Sequence, residues 1–537
     1  MGLESKRTAW GVLFAGIAGL AVLQLWLRPL LPVDETRYLS VAWEMWWRGD
    51  FLVPYLNGEP YSHKPPLLFW LIHAVWAVAG VSETGARLIP LLLSVLVLWL
   101  SAGLTSRLWP DQSVAIRPLV PWLLLGGVFW NNFFTLIQFD LLIVLGALLA
   151  WRGVLDALHT PLRGWLLVSL ALGFGVLSKG PVILVPVLPA ILFAPWWAGD
   201  RVPVSWPAWY LGGLFALLLG AVIALLWAVP AGIAGGDAYR QAIFWGQSAG
   251  RVVNSFAHRS PWWSYLLWLP LMWLPWVLWP QLWKAVRRVG WDDTGIRYCL
   301  AVIVPALVIF SLISGKQGKY LLPLFPLVAL LFARYLVAAD KEASVCRLRF
   351  AGVFLFLSGL VLVALPWSPT GPDWLSQVQP LWGTALLVPG VVLFRLNLKQ
   401  GTAVRAASLA MLLWTATLYL ALVPRLAADY DLKPMSHTLY SLQETGRPLA
   451  WLGKYHGQFH FLGRLRTPIE PLAGSDRLHH WLDANPEGYL LVNYRTAHPD
   501  VPDSLQVQPY RGGSLVLWPA ARLLLDPHRL DALTGSR

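Results

Sequence analysis

The chain has 537 residues, of which 57% are hydrophobic and 13% charged, a balance that excludes an ordinary soluble enzyme and a disordered chain alike. Its formal net charge is +13, but most basic residues sit in short loops between apolar runs, with no zinc finger, RNA-binding aromatic motif or basic tail. Membrane orientation and anionic lipid headgroups account for that excess better than nucleic acid does.

A membrane span needs about 20 apolar residues. Candidate spans run over 9–30, 86–107, 118–135, 137–152, 164–178, 180–196, 208–230, 262–281, 298–314, 320–338, 350–366, 379–395 and 403–423. The expectation is a polytopic α-helical membrane protein with about thirteen transmembrane helices. The first segment is long enough to span and is not followed by a cleavage site, so it reads as a retained anchor. Pro66–Gly80 is apolar but too short to cross comfortably at about 1.5 Å per residue, and it carries His73; it is expected to lie on the membrane surface.

That placement fixes the parity of every later span. With the N-terminus inside, the inside loops hold Lys6 and Arg7, Arg107 and Arg117, Arg152 and Arg163, Arg201, Lys284, Arg287, Arg288 and Arg297, Lys341, Arg347 and Arg349, and Arg395, Lys399 and Arg405. This is a strong positive-inside pattern, and a crossing at Pro66–Gly80 would invert it. The 34 Trp suit aromatic belts at the interfaces. From about Ala427 the chain turns polar, with strand-like runs at Tyr489–Tyr494, Ser504–Val507 and Ser514–Trp518. Residues 1–426 are thus read as a membrane domain with its first outer loop at 31–85. Residues 427–537 are read as a small α/β domain on the outer side.

The outer loops concentrate the charges that defy this pattern. Asp34, Glu35, Arg37, Glu44, Arg48, Asp50, Glu59, His63 and Lys64 crowd into the first loop. Asp34 suits a general base, a metal ligand or a helix start. Lys64, ahead of Pro65-Pro66, suits a point charge for phosphate or a snorkelling anchor. Asp140 stands where a span begins, where a carboxylate is costly without a task. Lys179 projects from a Ser-Lys-Gly-Pro turn, and Gly315-Lys316-Gln317-Gly318-Lys319-Tyr320 offers two cations and a phenol to an anion. His258-Arg259 lies in an outer loop, and His258 paired in space with His63 would offer two metal ligands. The two cysteines, Cys299 and Cys346, are too few for a disulfide framework or a cysteine-rich metal site. There is no Walker or Rossmann fingerprint, so no nucleotide is expected.

The run V-D-E-T-R-Y, followed by G-D-F-L-V-P-Y-L-N-G-E-P-Y-S-H-K-P-P-L-L-F-W, resembles the first outer loop of the GT-C membrane glycosyltransferases. The likeness is to the dolichyl-phosphate-mannose-protein mannosyltransferase-like branch, and within it to bacterial aminoarabinose lipid A transferases. L-S-K-G-P, A-H-R-S-P-W-W and G-K-Q-G-K-Y-L-L-P-L-F-P-L share it. The resemblance implies inverting transfer of a sugar from a polyprenyl-phosphate carrier to lipid A or another periplasmic acceptor. The enzyme would sit in the bacterial inner membrane with its active site facing the periplasm. Asp34 would be the principal catalytic carboxylate and Asp140 the second. Arg37, Tyr38, Tyr61, Lys64, Lys179, Arg259, Lys316, Lys319 and Tyr320 would bind substrate or its phosphate. His258 matches a histidine tied to a divalent metal, zinc or magnesium, in the aminoarabinose branch, with His63 at a position often held there by Glu. Rival readings are a related transferase with a protein or other glycan acceptor, and a lipid-linked-sugar flippase. The flippase would show charges midway along spans and internal repeats.

Overall fold

Inside a bilayer a single segment satisfies its backbone only as a helix. The computed structural model describes residues 3–202, 204–246, 260–339, 346–369, 372–496, 499, 501–526, 528–530 and 533. Among them, eight helices are long and apolar enough to cross a membrane. They include α1 (Leu3–Leu27), α4 (Glu83–Leu108) and the helix Gln400–Tyr430 that leads into the C-terminal unit, and each falls on an expected span.

The other expected spans take different forms. The segment 137–152 becomes the helix Asp140–Ala157, which carries Asp140, Arg152 and Asp156. Pro181–Leu192 and Leu381–Arg395 are shorter apolar helices. The segments 118–135 and 262–281 are broken, the first into Val120–Leu125 and a turn at Trp130–Phe133, the second into Ser264–Met272 and a turn at Trp276–Leu278. Their breaks meet. A Cβ on Gly126 would lie 2.2 Å from a Trp276 ring atom, Trp276 Nε1 donates to Leu123 O at 2.9 Å, and Val128 N donates to Leu274 O at 3.0 Å. Each broken segment thus supplies partners for backbone that the other exposes, which lets non-helical chain sit inside the protein.

Between α1 and α4 lie α2 (Asp34–Arg48), a short hairpin of β1 (Tyr55–Leu56) and β2 (Glu59–Pro60), and α3 (Leu67–Ala79). The chain enters and leaves α3 at the same end of the bundle. Lys64, just before it, lies over the Phe139 ring at 5.7 Å. After it, Val81 O accepts from Arg464 at 3.5 Å, and Glu83 pairs with Lys433 at 3.2 Å. His73, half-way along, meets Ala42 O of α2 at 2.9 Å. α3 is a short apolar helix held against α2 at this end of the bundle.

The C-terminal unit is built on a five-stranded mixed sheet in the order Glu470–Leu472, Leu449–Leu452, Tyr489–Tyr494, Gly513–Pro519, Gln506–Tyr510. Alternate residues face two cores. Ala450, Leu452, Leu490, Val492 and Val516 pack with Leu478 and Trp481, while Leu449, Trp451, Leu491, Leu515 and Leu517 pack with Met435 and Leu439. The strands Leu449–Leu452 and Gly513–Pro519 are buried on both faces, so neither shows a polar alternation in sequence.

Candidate functional site

α2 opens on two carboxylates that face opposite ways. Glu35 is fully buried and pairs with Arg28 of the segment after α1. Its oxygens also accept from Leu31 N and Ile137 N, each at 2.9 Å, and Arg28 donates to Thr135 O at 2.9 Å. Arg87, also buried, donates to Arg28 O at 2.9 Å and to Glu83. This network clamps the start of α2 to the segment 135–137 that precedes Asp140. Sequence reading missed Glu35, Arg28 and Arg87 as scaffold, although Arg28 and Arg87 are cations at the expected outer ends of their spans, the same signal that singled out Lys64.

Asp34, one residue earlier, turns to the other side. Its Oδ1 accepts from Arg37 Nη2 at 2.6 Å and its Oδ2 from Lys319 Nζ at 3.1 Å. Asp140 Oδ1 accepts from Lys179 Nζ at 2.6 Å, and that ammonium lies 4.7 Å from the centre of the Tyr320 ring. Tyr38 packs edge-on to Phe139 at 5.0 Å. Its hydroxyl is buried within electrostatic reach of Asp34, Tyr61, Arg37 and Asp140, and burial first, then Asp34, pushes its pKa well up. Burial also works to raise the Asp34 carboxyl, but Lys319 and Arg37, helped by Lys64, outweigh it and hold the group below the usual carboxylate range. Asp34 is therefore ionised at neutral pH.

Residues drawn from the first loop, from 138–140, from the turn at 179 and from the turn at 319–320 thus meet in one centre. Its cations are matched by carboxylates that an anionic ligand can replace. Lys316 is not brought there in this way: its ammonium donates to Ser260 O at 3.0 Å and Ile313 O at 2.7 Å, which ties it to the turn. Of the two lysines of that turn, Lys319 is the one that reaches Asp34. Arg259 and His258 lie outside the described residues. The His63 ring lies against Tyr61 at 5.2 Å, and the described residues contain no group of three or more His, Cys, Asp or Glu able to hold a metal.

Residues 63–227 match the family model of dolichyl-phosphate-mannose-protein mannosyltransferase, a stretch that includes Lys64, Asp140 and Lys179. Among curated proteins, the chain is 29% identical over 370 residues to the undecaprenyl phosphate-alpha-4-amino-4-deoxy-L-arabinose arabinosyl transferase of Pseudomonas paraeruginosa, covering 67% of this chain and 65% of that one. It is 30% identical over 373 residues to the protein of the same name from Edwardsiella ictaluri, covering 66% of this chain and 64% of that one. The match thus spans just under two thirds of these relatives' length. In fold, the chain is similar to the crystal structure of ArnT from Cupriavidus metallidurans bound to undecaprenyl phosphate, with a TM-score of 0.73 at 17% identity over 95% of this chain and 98% of that one. The apo crystal structure gives a TM-score of 0.74 at 18% identity, over 96% and 99%. Residues 63–227 thus match the dolichyl-phosphate-mannose-protein mannosyltransferase family model, and the chain as a whole has the fold of the ArnT crystal structures.

Proposed function

We propose that the chain is an inverting glycosyltransferase that moves aminoarabinose from undecaprenyl phosphate to lipid A on the periplasmic side of the inner membrane. The observation that carries the reading is the pairing of Asp34 with Lys319 and Arg37 beside the Asp140–Lys179 pair, at one end of the bundle. The names of the curated relatives support the donor. The periplasmic side is supported by charge. The Asp34 centre lies at the end of the bundle that also carries the C-terminal unit. The opposite ends of the helices hold the arginines of the positive-inside pattern, among them Arg107 and Arg152 on Asp156.

The chemistry follows from the exchange of partners. The carrier phosphate takes over Lys319, Lys179, Arg37 and Lys64, which neutralise it and make it a competent leaving group. The acceptor oxygen attacks the anomeric carbon from the opposite face, the carbon–oxygen bond to the carrier phosphate breaks, and the configuration inverts. A phosphate acceptor is already ionised and needs no base. Ionised Asp34 then stabilises the positive charge that grows on the sugar ring, and a hydroxyl acceptor would instead use it as a base.

The test is transfer of radiolabelled aminoarabinose from undecaprenyl phosphate to lipid A by the purified protein. Labelled lipid A is expected from the wild type and not from Asp34→Asn. Labelling of a protein or another glycan in place of lipid A would reassign the acceptor, and label that only crosses the bilayer would favour a flippase.

A further inference from the structure

The C-terminal unit brings its own cations to the Asp34 centre. It docks on the first loop through fixed contacts. Asn57 Nδ2 donates to Ile469 O at 2.9 Å, and Ile469 N donates back to Asn57 Oδ1 at 2.8 Å. Phe461 N donates to Ser40 Oγ at 3.0 Å and Trp43 Nε1 to Leu465 O at 3.1 Å, both on the helix that Asp34 opens. Phe461 stacks on Trp76 at 5.5 Å. Gly457 completes the fit: its φ of +72° is left-handed, and a Cβ there would lie 2.3 Å from Leu56 Cδ1, so the loop 454–458 lies directly on the β1–β2 hairpin.

This docking sets His456 within electrostatic reach of Arg37, Lys454, Arg511 and Asp34. Burial first, then the three cations, hold its pKa below the ordinary imidazole value, so at neutral pH it offers a neutral hydrogen-bonding ring beside the charges of Lys454 and Arg511. Lys454 and Arg511 are exposed and His456 is half-buried. Arg511 is presented by a turn with φ of +53°, anchored by its amide on Asp429 O at 2.9 Å. Among the described residues, none of the three forms an ion pair with a carboxylate. The deeper cations differ, since Arg37 and Lys319 face Asp34 and Lys179 faces Asp140. A nucleophile bound for the anomeric carbon passes beside ionised Asp34, which repels an anion. The unmatched charges of Lys454 and Arg511 on the approach offset that repulsion, and the neutral His456 ring adds a hydrogen bond that helps to orient the anion.

We propose that Lys454, His456 and Arg511 bind a phosphate group of the acceptor and hold it beside Arg37. This rests on the transferase reading and adds the acceptor side to it. The site is shared between two parts of the chain. The membrane helices supply the donor cations, and the C-terminal unit supplies Lys454 and Arg511 as acceptor cations with His456 as a neutral hydrogen-bonding partner.

The experiment compares lipid A with the same lipid after chemical removal of its phosphates, using full-length protein in detergent. Equilibrium binding and sugar transfer are both measured. Wild type is expected to bind the phosphorylated lipid about 10–100-fold more tightly. The triple variant Lys454→Ala/His456→Ala/Arg511→Ala is expected to lose that preference and to raise acceptor KM by a similar factor, with affinity for undecaprenyl phosphate retained. Lys454→Arg, which keeps the charge, is expected to keep most of the preference. A triple variant that still prefers the phosphorylated lipid, or that loses carrier affinity equally, would overturn the inference. So would displacement of lipid A by an equal amount of phosphatidylglycerol, which would make the loop a general headgroup contact. Wild-type binding without transfer would overturn the transferase reading and leave the site standing. Transfer unaffected in the triple variant would do the reverse.

Discussion

Asp34 and Lys319 stand 285 residues apart in the chain, and their Oδ2 and Nζ atoms are 3.1 Å apart. The contact joins the opening of α2 to the turn that follows the helix Thr294–Leu312. Lys316, three residues earlier in that turn, caps two carbonyls instead. Lys319→Ala is expected to weaken carrier-lipid binding by about 10–100-fold, the range for a lost charge-assisted phosphate contact. Lys316→Ala is expected to leave carrier affinity near wild type and to lower thermal stability. Equal losses of affinity in the two variants would contradict the separation of their roles.

Asp34→Asn is nearly isosteric and sits at a partly exposed position, so it should fold. Turnover is expected to fall by about 10²–10⁴-fold, whether the carboxylate acts on the proton or on the sugar charge. Glu35→Gln should behave in the opposite way. Glu35 is buried against Arg28, and removing one partner of such a pair costs about 3–5 kcal/mol. A clear drop in melting temperature is expected for Glu35→Gln and little change for Asp34→Asn, measured by thermal unfolding in detergent.

The Asp140–Lys179 pair is also largely buried, with side-chain exposures of 5% and 13%. Asp140→Asn leaves a lysine unmatched and is expected to destabilise the protein. Adding Lys179→Met should recover part of that stability, because the double change removes both charges. Activity is expected to stay low in both variants. Additive losses of stability in the double-mutant cycle would mean that the two groups do not depend on one another.

The pH dependence has a defined sign. The folded carboxyl of Asp34 lies below its ordinary value because Lys319 and Arg37 outweigh its burial. A depressed carboxylate contributes stability that is present above its unfolded pKa, about 3.9, and is lost as pH falls through the lower folded value. Turnover should therefore be flat from about pH 5 to 7 as far as Asp34 is concerned, with its acid limb below the usual carboxylate range. A kcat profile in which Asp34 titrates above pH 5 would show that burial dominates instead.

Topology is open to direct labelling. Single cysteines at Gly49 and in the loop at Lys454, in a background lacking Cys299 and Cys346, are expected to react with an impermeant maleimide from the periplasmic side of intact cells. A cysteine at Arg163 should react only after the membrane is opened. Reversal of that pattern would place the centre in the cytoplasm.

Some of this protein was written locally. The apolar helices and the grouping of unusual charges in the loop between α1 and α4 follow from hydropathy, segment length and the cost of charge beside lipid, each of which acts over one loop or one helix. The site residues of the first loop, Asp140, Lys179 and Lys319 were legible for the same reason: a charge beside lipid is costly enough to stand out. The tertiary structure decided what no local rule contains. It divided adjacent Asp34 and Glu35 between the cation-lined centre and a buried strut, because the helix start turns successive side chains to different sides. It gave Lys319 to Asp34 and tied Lys316 to carbonyls, a choice set by the geometry of one turn against a helix far away in sequence. It broke two apolar segments where Gly126 meets Trp276, since partners across the fold satisfied backbone that hydropathy alone would make helical. It also laid the loop at His456 on the first outer loop, because packing between remote parts of a chain depends on shape and charge assembled only after each part has folded.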